Sequence, residues 1–171
     1  MRILLTAAVA LLEAGLLGWQ YLHGGVPAHH VLARADLPSI SNAWGLLTLP
    51  LLAWWLLGRI EWRRRQAPAY LGKSLAPFAG ALAFGVVLGG CAVTGHPDVC
   101  SGMVMALAPL ALFYPVHRAE CLLGFVLGMN LFVGAVLPTV AGLVFATIGA
   151  VLHHGVRFLW LVVGARAGRH P

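Results

Sequence analysis

Charge is what this sequence lacks. Asp, Glu, Lys and Arg make up 9% of its 171 residues, and five residues in all are acidic. A soluble domain carries about 25% charged residues. With so few, the surface of a water-soluble globule of this size cannot be covered. Cysteine is scarce too: Cys91, Cys100 and Cys121 show no CxxC spacing, so no cysteine zinc motif is present. Cys91 and Cys100 flank one short loop, and the sequence leaves open whether they pair. No repeat at a fixed period and no low-complexity tract appears.

What is there is apolar. Hydrophobic residues make up 60% of the chain, and the mean hydropathy is +0.88. This predicts an all-α polytopic membrane protein, whose lipid-facing surface is apolar. At about 20 residues per span, the chain holds roughly five to seven helices as a single membrane domain. The pattern places six, at about 3–22, 43–58, 71–93, 102–116, 121–137 and 140–163. The start resembles a signal peptide in having a charge before an apolar run. Glu13 interrupts that run and no small-residue cleavage site follows, so it reads as a retained helix.

The net charge is +6, and the positive charge gathers beside apolar runs. Arg59, Arg63, Arg64, Arg65 and Lys73 follow the second helix, Arg118 follows the fourth, and Arg166 and Arg169 lie in the tail. With Arg2 they share one face, and Arg34 alone falls on the other. By the positive-inside rule the termini are cytoplasmic, in a bacterial-type inner membrane. Residues 23–42 and 94–101 then face the periplasm or exterior. Lipid headgroups, not nucleic acid, are the partner this pattern predicts. Trp54, Trp55 and Trp62 read as interfacial anchors.

Polar residues concentrate in two places. The outer one comprises the segment from His23 to Trp44 and the loop TGHPDVCSG, with His29, His30, Asp36, His96 and Asp98. Histidine with carboxylate is a ligand set for zinc. His29, His30, His96 and Asp98 are the candidate metal ligands. Asp36 is a candidate catalytic group, as ligand or general base, and Ser41 and Asn42 are candidate substrate contacts that could equally cap the second helix.

The second place is inside the membrane. Glu13 lies halfway along helix one, where a carboxylate needs a partner or a proton. At 1.5 Å per residue it is roughly 16 Å from the cytoplasmic end. Asn130 comes out at a similar depth, and His153 or His154 is about 10 Å from the cytoplasm in a core about 30 Å thick. Glu13 and His153 are candidate catalytic groups here and Asn130 a candidate substrate contact, all meeting near or just below the midplane.

Two short resemblances bear on chemistry. Cys100-Ser101-Gly102 is similar to a tripeptide of exosortase-type membrane transpeptidases, whose following helix-end arginine has no counterpart here. The segment DLPSISNAWG, residues 36–45, resembles the Ser-Asn stretch of the alkaline ceramidase group, membrane zinc hydrolases. Helix count and histidine spacing differ from that group. Three functions stay open. One is a metal-dependent, zinc-assisted hydrolase acting on a lipid-like substrate. Another is a small proton- or cation-coupled transporter or channel using Glu13. The third is a non-catalytic subunit or homo-oligomer partner within a membrane complex.

Overall fold

A computed structural model describes residues 1–26, 28–30, 39–67 and 70–167, with side chains at 29, 30, 39, 40, 70, 71 and 159–167 outside that description. Asp36 lies outside the described residues, and so do the side chains of His29 and His30. The described chain forms six helices: α1 (Arg2–Leu22), α2 (Gly45–Gln66), α3 (Tyr70–Thr94), α4 (Pro97–Phe113), α5 (Ala119–Val133) and α6 (Val136–Ala167). Four are long and apolar enough to cross a bilayer: α1, α2, α3 and α6. The fold is the expected all-α membrane bundle. Its one extended feature lies in the outer segment. There, two three-residue strands, β1 (Ala28–His30) and β2 (Ser39–Ser41), pair antiparallel with His29 opposite Ile40.

Several boundaries differ from the pattern, each for a local reason. The α2 helix runs on through Arg63, Arg64 and Arg65 to Gln66, because basic residues in a last turn complement the helix dipole. The α4 helix starts at Pro97, not Gly102. Proline suits the first helical position and Asp98 sits in the positively polarised first turn. It stops at Phe113 because Tyr114, extended at φ −119° and ψ 135°, precedes Pro115. Gly134, at φ 76°, ends α5 four residues earlier than the expected 137. Pro138 therefore falls in the first turn of α6, where a missing N–H costs nothing.

The two short helices differ in how they are sheathed. At 15 residues α5 is roughly 22 Å long, well short of a 30 Å hydrocarbon core. It is also the most enclosed helix, with ten of its 15 residues buried. Helices α2, α3 and α6 pack around it, and so it meets protein where the others meet lipid. Leu49, Leu52, Leu56, Leu88, Leu122, Leu123 and Val126 form the core at this junction. The outer faces of α1 and α6 present Leu4, Leu11, Val144 and Val151, exposed apolar residues suited to acyl chains.

The closest pairing is α3 with α5. A side chain at Gly124 would run into the Phe78 carbonyl, one at Gly128 into the Leu82 carbonyl, and one at Gly85 into the Phe125 carbonyl. Contacts advance together along both helices, from Phe78 and Gly124 to Gly89 and Phe132, so the two run parallel. Gly85-xxx-Gly89 and Gly124-xxx-Gly128 are both small-xxx-small motifs, the usual device for bringing membrane helices into backbone contact.

Gly128→Ile should therefore cost about 3 kcal/mol or more, since the obstacle is backbone and cannot rotate away. Gly15→Ala, where nothing lies within 4 Å, should be neutral or stabilise the helix by up to about 1 kcal/mol. Thermal unfolding of both variants in detergent checks the contrast; equal behaviour would refute backbone contact between α3 and α5.

Candidate functional site

The polar residues separate into a cluster away from the basic face and a cluster at it. In the first, Glu13 of α1 and Asn130 of α5 are each 1% exposed. Asn130 Nδ2 donates to Glu13 Oε2 at 2.6 Å. A side chain at Gly45, the first residue of α2, would meet Glu13 Oε1 and displace it. One at Gly134 would likewise meet the amide of Asn42, also buried. Asn42 Nδ2 and Asn130 Oδ1 are buried with no hydrogen-bond partner among the described residues. A carboxyl in apolar surroundings needs such a partner, and Asn130 supplies it across more than a hundred residues of chain.

Glu13 and Asn130 thus meet, but His153 does not join them, and the depth differs from expectation. Asn130 is three residues before the end of α5, roughly 5 Å, and Gly45 opens α2. The cluster lies toward the ends of α5 and α2 opposite the basic face. The shortness of α5 causes the difference: counting depth along a full-length span places Asn130 too deep.

The remaining outer residues have local roles. Ser41 Oγ accepts from Ala43 N at 3.2 Å, capping the 3₁₀ turn Asn42–Trp44 that leads into α2. His96 is the N-cap residue of α4, and both it and Asp98 are exposed. Ser101 donates to the Pro97 carbonyl at 2.8 Å, so the Cys-Ser-Gly stretch is an ordinary helical turn. Cys91, Cys100 and Cys121 are free thiols. Among the described residues no group of three or more His, Cys, Asp or Glu is placed to hold a metal ion. His96 and Asp98 do not form a zinc site within that set.

His153 belongs to the second cluster. Its ring lies 5.6 Å from His117 and 6.0 Å from His154, and His117 lies 5.2 Å from His154. His117 stands in the turn between α4 and α5; the other two are on α6. His154 Nδ1 bonds the Ala150 carbonyl at 2.7 Å, whereas Nδ1 of His117 and of His153 are buried with no hydrogen-bond partner among the described residues. Burial pushes the His117 pKa below the usual histidine value. The neighbouring His154, His153, Arg63 and Arg118 push it the same way. Arg63 reaches from α2 to within 3.8 Å of Glu120, which is 1% exposed at the start of α5.

Next to this cluster lies a pocket of about 380 Å³ whose wall includes Trp55, Arg59, Trp62, Arg63 and His117. The Arg59 guanidinium sits 5.1 Å from the centre of the Trp55 ring. Trp54 instead receives Arg2, at 3.7 Å from its ring centre, and Arg2 Nε also donates to the Trp54 carbonyl. Trp54 and Trp55, two of the three tryptophans read as interfacial anchors, are thus also cation platforms. A larger cavity of about 660 Å³ opens between α3, α4, α5 and α6. The two share Leu122 and Ala146 in their walls.

His117, Arg59 and Glu120 carry this region, and sequence reading did not single them out. His117 and Glu120 sit in HRAE, residues 117–120, between the fourth and fifth apolar runs. The available signal was that this turn abuts the apolar run of α5 directly, leaving Glu120 nowhere to go but inward.

Asn130→Ala should cost about 1–3 kcal/mol by leaving the Glu13 carboxyl unpaired, while Glu13→Gln, which can still accept from Asn130, should cost clearly less. A cycle of single and double variants at these positions, read by thermal unfolding, checks this; additive effects would mean the pair is uncoupled. The depressed His117 pKa has a pH consequence. The unfolded chain takes up a proton near the ordinary histidine value and the folded one only at lower pH. Stability is therefore full above that value and falls as pH drops from about 7 to about 5. His117→Asn should flatten this fall, seen as a smaller loss of unfolding temperature on acidification.

The chain matches no protein-family model, no curated protein and no solved structure.

Proposed function

We propose that this integral membrane protein binds a lipid-like molecule within its helix bundle. The observation that carries this is the 660 Å³ cavity, of the size that holds small-molecule ligands and apolar on nearly all sides. Small residues create it: Ala76 and Gly80 on α3, Ala108 on α4, and Gly142, Ala146 and Gly149 on α6. Placed one or two turns apart, they withdraw side-chain volume where Leu or Phe would close the bundle. In water such a space would collapse or be filled by repacking; in a bilayer acyl chains are the abundant apolar solute. The lipid-like substrate expected from the sequence finds its support here and not at the outer face. The metal-dependent hydrolysis once attached to it has no ligand group behind it among the described residues.

A second reading, proton- or cation-coupled transport, draws its support from the buried Glu13–Asn130 pair. It requires that Glu13→Gln abolish flux in liposomes while the protein stays folded.

The lipid reading is tested by native mass spectrometry of protein extracted in mild detergent. Wild-type protein should retain lipid. Ala108→Trp with Ala146→Phe, which fill the cavity, should reduce retention by about tenfold or more, a loss of ~1.4 kcal/mol. Val151→Trp, on the exposed face of α6, should leave it unchanged. Equal retention in all three would overturn the proposal.

A further inference from the structure

We infer that the smaller pocket, at the basic ends of α2 and α5, is a phosphate-binding site, and that its place beside the lipid cavity suits it to a phospholipid headgroup. The second half of this rests on the lipid reading above; the first does not.

Charge makes the case for an anion. Arg59 and Arg63 stand one turn apart on the same side of α2 and both line the pocket, as does His117. Arg118 from the same turn, and His153 and His154 from α6, bear on His117. Among the described residues, the carboxylate that meets this group is Glu120, at 3.8 Å from Arg63. The guanidinium groups of Arg59, Arg63 and Arg118 thus outnumber it. An added metal cation would be repelled there; an anion relieves the repulsion.

Donor geometry narrows the anion. Nδ1 of His117, in the pocket wall, is buried and lacks a hydrogen-bond partner among the described residues, which is costly unless something completes it. Arg59 adds a planar fork, steered by the Trp55 ring, and Arg63 lines the same wall. These donors come from two separate elements, α2 and the α4–α5 turn. A flat carboxylate offers two oxygens in one plane, whereas a phosphate offers three or four in a tetrahedron, matching donors that reach the pocket from different elements. The pocket volume of about 380 Å³ admits a headgroup but not a whole lipid, and the shared wall at Leu122 and Ala146 places an apolar space next to it. A polar head in one compartment with its chains in the other fits this division.

Trp55 and Trp62 in the pocket wall provide a built-in fluorescence reporter. The experiment titrates the full chain in detergent with short-chain phosphatidic acid, with the matching diacylglycerol and with inorganic phosphate. Phosphatidic acid should bind at least about tenfold more tightly than diacylglycerol, and the difference should shrink as salt is raised. Arg59→Gln should remove the preference without changing diacylglycerol binding, and Arg59→Lys should restore part of it. Inorganic phosphate should compete with phosphatidic acid. Should phosphate bind and neither lipid bind, the phosphate site stands and the lipid reading falls. Should both lipids bind equally, with Arg59→Gln silent, the lipid cavity stands and the phosphate site is overturned. No binding of any of the three overturns both.

Discussion

The backbone contact between α3 and α5 is the constraint on which the rest of this protein depends. In a bilayer there is no hydrophobic drive to press helices together, because lipid tails are as apolar as the side chains they replace. Association must come from close packing. Gly85, Gly124 and Gly128 provide it by removing the side chains that would hold the two backbones apart. The result is that α5, too short to cross the membrane alone, is locked in the middle of the bundle.

From that position α5 organises the polar chemistry at both ends. Glu120 at its start pairs with Arg63 of α2, and Asn130 near its end donates to Glu13 of α1. Each of the four residues would be expensive in lipid if left alone. Each pair therefore acts as a registration device, allowing α1 and α2 one depth and one rotation relative to α5. The same centring of α5 leaves the small residues of α3, α4 and α6 facing one another across a gap, and that gap is the cavity. Cavity and basic pocket adjoin because both are bounded by Leu122, one turn into α5.

The fold class could be read from composition because it follows from solvent. A chain with 9% charged residues and 60% hydrophobic ones has no way to stay dissolved in water, and helices are the form in which its apolar runs satisfy their own backbone. Glu13 was legible as a residue needing a partner for the same reason, and Asn130 as a residue that meets it, although counting depth along a full-length span placed Asn130 too deep. The boundaries of α4, α5 and α6 were harder. Pro97 and Pro138 read as turn residues although both sit in a first helical turn, where proline is harmless. His153 went to the wrong group because linear depth carries no information on which neighbour a helix face meets.

What the sequence determined by itself is therefore set by local and solvent physics: six apolar helices, a basic end, and a buried acid that demands a hydrogen bond. What only the tertiary structure decided is which side chains converge. His117 lies far in the sequence from His153 and His154, as it does from Arg59, and no periodicity joins them. Their meeting depends on how far each helix is shifted along its neighbours. That shift comes from glycine contacts and buried polar pairs between segments distant in the chain, and neither is a property of any one segment.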